Sequence, residues 1–224
     1  MTYYRASALA YGLARMWRGW AVLVPVVLAN ALLQAVLVWP DATPMIDTSA
    51  IVLAALSGLV LLIAYTLVAA TALHVAEGHV GWSLAVATVR RHAARFTVWA
   101  LALGLVTWVG LALFTVPGLI VVGGTPFVLL AVLDGQANPL AANFRTIGRR
   151  FWRWLVTAIV TTLVLVVGSL LSGFFTFFTR ASLAAFVVWL VGGLIIAWFT
   201  TAWALVYRSA AVSPDVLEGR GSAT

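Results

Sequence analysis

A chain of 224 residues that is 64% hydrophobic and only 8% charged cannot cover itself with polar surface in water, since an ordinary soluble domain is about 25% charged. Lipid must be the solvent for most of it. Its net charge of +7 comes from 13 arginines and no lysine, and it has no cysteine, which excludes disulfides, zinc–thiolate sites and thiol catalysis. Arginine as the only basic chain, with abundant Ala, Val and Gly, points to a high-GC bacterial genome.

The N-terminal stretch carries Arg5, Arg15 and Arg18. The apolar run behind it is too long for a signal-peptide core, so no cleaved leader is expected. A bilayer core about 30 Å thick requires about 20 apolar residues per helix. The first candidate span is 19–38, closed by Trp39 and Pro40, and the second is 50–75. The run 96–133 is too long for one helix, and the turn signal Val116-Pro117-Gly118 divides it into 96–116 and 118–133. Spans at 155–178 and 182–207 follow. Lengths near 20 without alternation exclude barrel strands. The expected architecture is all-α and polytopic: one six-helix transmembrane domain over 1–207, then a polar cytoplasmic tail over 208–224.

The fourth span carries Gly123, Gly124 and Pro126 in its middle. Pro126 has no N–H and its ring crowds the Val122 carbonyl, so a kink is expected there. Such a kink serves packing, or it opens a binding site in a broken helix, as in transporters.

Under this plan twelve of the thirteen arginines fall on one side, leaving Arg180 opposite, while the first outer loop holds Asp41 and Asp47. The positive-inside rule then puts both termini in the cytoplasm of a bacterial inner-membrane protein.

Two of the loops on the arginine side are alike. "EGHVGWSLAVATVRRHAARFTVW" starts at Glu77 and "DGQANPLAANFRTIGRRFWRWLV" starts at Asp134. Each runs from an acid and a glycine, through Leu-Ala and an arginine-rich stretch, to an Arg-aromatic pair at the next span. "ALAYGLARMWRGWAVLV" near the N-terminus is a third, eroded copy. The spans therefore group as three pseudo-repeated hairpins, each behind an amphipathic cytoplasmic leader helix.

At about 100° per residue, Leu140, Phe144, Ile147, Phe151 and Trp154 form one apolar stripe, with Arg145, Arg149 and Arg153 opposite. Asn138-Pro139 is a helix start, with Asn as N-cap and Pro in the first turn. In the preceding loop Trp82, Val86, Val89, Ala93 and Phe96 share a face, away from Arg90, Arg91 and Arg95. Basic amphipathic helices between spans lie at the interface, with arginines on anionic headgroups. The candidate contacts to anionic lipid or a protein partner are Arg90, Arg91, Arg95, Arg145, Arg149, Arg150, Arg153, Trp152 and Trp154. Nucleic acid would need the aromatics exposed for stacking, and here they lie on the face expected to be buried.

Glu77 and Asp134 end spans and precede glycines. They pair with loop arginines, or they form a proton or ion site at the cytoplasmic mouth. Asn30 and Gln34, one turn apart in the first span, bond a neighbouring helix or line a polar path. His74 and His79 are five apart, a poor spacing for two ligands on one helix face, and His92 lies among arginines. Gly168, Gly173, Gly192 and Gly193 are read as points of close helix approach. The sequence offers no phosphate loop, no GxSxG and no HExxH, and Ser83, Ser169 and Ser172 have no His or Asp nearby in sequence. No catalytic residue, metal or cofactor is expected.

The segment "VPGLIVVGGTPFVLLAVLDGQANPLAANFRTIGRRFWRWL" resembles bacterial six-span membrane proteins of unknown function. It is also similar to the membrane domain attached to some glycerophosphoryl diester phosphodiesterases. The likeness is strongest over 116–165. It implies an integral cytoplasmic-membrane protein without catalytic residues of its own. The soluble phosphodiesterase domain is absent from this chain, and its activity does not carry over. The sequence thus points to a non-enzymatic accessory or scaffold subunit of a membrane complex. The alternative is a small transporter or permease subunit.

Overall fold

A computed structural model describes residues 8–38, 48–113, 115–178 and 181–211. Among them all regular structure is helical: α1 (Ala8–Arg18), α2 (Trp20–Leu37), α3 (Thr48–Glu77), α4 (Trp82–Leu113), α5 (Thr115–Gly124), α6 (Val128–Leu133), α7 (Pro139–Arg149), α8 (Phe151–Phe178) and α9 (Ala181–Ala211). Five of these, α2, α3, α4, α8 and α9, contain stretches long and apolar enough to cross a membrane. The protein is a multi-pass membrane protein.

The boundaries differ from the sequence reading in instructive ways. The segment expected as a kinked fourth span is two helices, α5 and α6, with 125–127 outside both. Pro126 and the two preceding glycines do not bend the helix but end it. Val116-Pro117-Gly118, expected as a turn, is helical: α4 runs to Leu113, α5 starts at Thr115, and Pro117 sits in its first turn, where a missing N–H costs nothing. The second leader is not a separate helix: Trp82 to Leu113 is continuous. The fifth span starts at Phe151 rather than 155, and α9 continues to Ala211. Arg208 therefore belongs to a helix and not to the tail. Asp41, Asp47, Arg5, Arg180 and Arg220 lie outside the described residues.

Helix α9 is the hub and packs against α1, α2, α3, α7 and α8. Helix α3 joins it to α4 and α6, whereas α5 has α4 as its substantial neighbour. Gly193 makes the tightest approach: a Cβ there would come within 2.6 Å of Val27 Cγ1 on α2. Gly168, Gly173 and Gly192 face open space instead, so of the four glycines only Gly193 has the packing role expected of them. Gly12, which the sequence did not single out, does the same for α1 against Ala202. The α2–α3 pair is clasped by Gln34, whose Nε2 donates to the Ser57 carbonyl (3.2 Å) and whose Oε1 accepts from Ser57 Oγ (2.7 Å). Asn30, one turn earlier, is buried, and its Oδ1 meets no donor among the described residues.

Helix α1 departs most from an interfacial leader. Trp198 Nε1 donates to the Leu9 carbonyl (2.8 Å), and Gly12 meets Ala202. The two helices thus run side by side in the same direction. Leu9 lies level with Trp198, about 15 Å along α9 from Arg208 at 1.5 Å per residue. This leader is part of the bundle wall.

Candidate functional site

The acid–glycine pairs end their helices in the same way. At α3, the His79 N–H donates to the His74 carbonyl (2.9 Å) and Gly78 N–H to Val75 (3.0 Å). At α6, Gln136 N–H donates to Ala131 (3.0 Å) and Gly135 N–H to Val132 (3.1 Å). Both are Schellman caps. They require a left-handed residue, supplied by Gly78 at φ +90° and Gly135 at φ +77°. Each places an acid as the last residue before the glycine, where the helix dipole disfavours a carboxylate.

One arginine offsets both. Arg208 Nη1 lies 2.6 Å from Asp134 Oδ1, and Arg208 Nη2 lies 3.0 Å from Glu77 Oε1. Asp134 Oδ2 also accepts from Tyr207 Oη (2.8 Å) and Gln136 Nε2 (3.0 Å). The Asp134 side chain is 15% exposed and the Glu77 side chain 39%. Among the described residues Glu77 has besides this His74 Nδ1 at 3.9 Å, while the other nitrogen of that ring meets Thr88 Oγ1 at 2.8 Å. The two acids do meet, therefore, but through α9 and not through the loop arginines expected to pair with them.

The loop arginines do something else. Arg15 on α1 donates to the Val75 carbonyl near the end of α3 (3.4 Å). Arg95 on α4 donates to the Ala137 carbonyl just past α6 (2.7 Å). Arg149 and Arg150, at the end of α7, donate to Ala210 (2.9 Å) and Ser209 (2.8 Å) at the end of α9. Ser209 and Ala210 are carbonyls of the last turn of α9, where a cation is favoured, Val75 belongs to the capped last turn of α3, and Ala137 lies in the loop between α6 and α7. Arg90, Arg91 and Arg145 are exposed.

Helix α7 begins as its sequence predicts: Asn138 Oδ1 accepts from the Ala141 N–H (3.0 Å), with Pro139 at the first position. Its face is divided differently from the expected stripe. Leu140, Phe144 and Phe151 are exposed, but Ile147 and Trp154 pack on the core. The side facing the bundle is Ala142, Asn143 and Thr146. Within α4, Ala85 and Phe96 are buried, while Trp82 and Ala93 are exposed. The buried face is thus rotated from the one expected.

Asn143 explains how the broken segment is tolerated. Its Nδ2 donates to the Gly124 carbonyl (2.7 Å) and its Oδ1 accepts from the Phe127 N–H (3.0 Å). Trp154 Nε1 donates to the Gly123 carbonyl (2.9 Å). Groups freed by Pro126 are satisfied by side chains of α7 and α8, as buried backbone must be in lipid. Neither Asn143 nor Arg208 was singled out in the sequence. Arg208 could have been found as the one arginine following a long apolar run at the place where the other two hairpins carry an acid.

No family model, curated protein or solved structure matches the chain.

Proposed function

We propose that this is a six-span inner-membrane protein with both termini in the cytoplasm. On this reading it acts without catalysis as an accessory or scaffold subunit, and its arginine-rich end holds anionic lipid on the cytoplasmic face. The observation that carries this is the pairing of exposed aromatics with arginines at one end of the bundle. Trp17 and Trp20 flank Arg18. Trp82 opens the helix of Arg90 and Arg91. Phe144, Phe151 and Trp152 surround Arg145 and Arg149. Aromatic side chains at headgroup level with arginines beside them are what a membrane boundary selects.

The sixth span is α5 with α6. From Thr115 to Leu133 they would reach about 28 Å at 1.5 Å per residue, close to the hydrocarbon thickness. Three hairpins follow: α2–α3, α4 with α5–α6, and α8–α9. Equal Schellman caps on the first two and an arginine-to-carbonyl closure on all three support the repeat. This plan suits the resemblance to six-span bacterial membrane proteins. Satisfaction of the broken segment by Asn143 and Trp154 favours the scaffold over a transporter that opens there.

Gentle purification followed by native mass spectrometry tests the proposal. Retained anionic phospholipid, with or without a membrane partner, is the expected result. A bare monomer that selects no anionic lipid would contradict it, as would Pro126→Ala abolishing a measurable solute flux while the protein still inserts.

A further inference from the structure

We infer that α7, alone among the three arginine-bearing leaders, is a binding site for the phosphate of an anionic phospholipid. Arg145 and Arg149 take the headgroup, and Leu140, Phe144 and Phe151 lie against its acyl chains. This rests on the proposed lipid-holding role and narrows it to one helix.

The three leaders have diverged. Helix α1 is packed along α9, and its Arg15 is used on the Val75 carbonyl. The second leader is the continuous beginning of α4, and its Arg95 is used on Ala137. Helix α7 is set apart from its span at Arg150, where the backbone leaves the helical region (φ −132°, ψ 35°), as α1 is set apart from α2 at Gly19. Only α7 has a polar underside docked on the bundle through Asn143, which turns its apolar row outward. Phe144 is 59% exposed and Trp152 74%.

Among the described residues no acid forms an ion pair with Arg145 or Arg149. Arg145, Arg149, Arg150 and Arg153 follow one another with no acid among them. The described acids, Glu77 and Asp134, are both paired with Arg208. Arg149 uses Nη1 on Ala210, but a guanidinium has five N–H donors. Arg145 stands one turn before it, about 6 Å away at Cβ. Two guanidinia at that spacing can share one phosphodiester, each through charge-assisted hydrogen bonds. The adjoining Leu140–Phe144 row supplies the apolar wall that a free anion would not need.

The test titrates the full chain in mild detergent with phosphatidylglycerol and with phosphatidylcholine, read by native mass spectrometry. An arginine near an anionic leaflet is worth about a factor of five, so Arg145→Gln should weaken phosphatidylglycerol about fivefold and Arg145→Gln with Arg149→Gln about thirtyfold. Arg90→Gln with Arg91→Gln should change it by less than about twofold. Arg145→Gln leaves the Ala210 closure intact, so its effect reports the site and not the fold. Leu140→Ser with Phe144→Ser should also weaken the lipid, and inorganic phosphate should not displace it. Unchanged binding in the α7 variants with loss in the α4 variant would overturn the assignment while leaving the broader reading standing. Displacement of lipid by inorganic phosphate would overturn it in favour of a free-anion site. No preference of the wild type for phosphatidylglycerol would overturn both.

Discussion

The ends of α3 and α6 carry the same two-residue signature and the same backbone cap, yet their acids live differently. Asp134 is largely covered and accepts three hydrogen bonds, from Arg208, Tyr207 and Gln136. Glu77 is more open and shares the other edge of the same guanidinium, with His74 at the margin of contact. Backbone geometry was set by the glycine, whereas electrostatic weight was set by what α9 brings. An identical motif therefore marks an identical turn but does not mark an identical energy.

Five substitutions break or sharpen this contrast, each read as a change in unfolding free energy in mixed micelles. Arg208→Ala removes the partner of both acids and leaves each at the disfavoured end of a helix dipole. A loss of about 3 kcal/mol is expected, near the low end for breaking a covered ion pair because Glu77 is partly screened by solvent. Asp134→Asn keeps the shape but removes the charge from three hydrogen bonds, for about 2 kcal/mol. Gly135→Ala and Gly78→Ala should each cost about 1 kcal/mol, and by similar amounts, because both glycines hold a positive φ. A large difference between them would show that the caps are not equivalent. Glu77→Gln should cost under about 1 kcal/mol, and that small effect should shrink further in high salt.

Much of this arrangement was legible in the sequence. Apolar run lengths located five long apolar helices, though not the sixth span expected over 118–133; the acid–glycine pairs located two helix ends, and Asn138-Pro139 located the start of α7. These are local signals, set by the chain within a turn or two. The remainder depended on residues far apart. Arg208 read as the start of a polar tail because a charge after an apolar run marks the water boundary, and its partner Asp134 is 74 residues away. Asn143 carries no signal of its own in the sequence, and its role exists only because the break at Pro126 presents a free carbonyl and a free N–H to it. The apolar stripe of α7 was divided for the same reason: periodicity gives the angle between Phe144 and Ile147 but not which of them meets lipid and which meets protein.

The most direct test is a pair of double-mutant cycles, Arg208→Ala with Asp134→Asn and Arg208→Ala with Glu77→Gln, in one detergent at one ionic strength. A shared keystone with unequal arms predicts a coupling of about 2 kcal/mol to Asp134 and under about 1 kcal/mol to Glu77. Equal couplings, or none to Asp134, would contradict the view that Arg208 joins the ends of α3 and α6 to α9 chiefly through the more covered acid, Asp134.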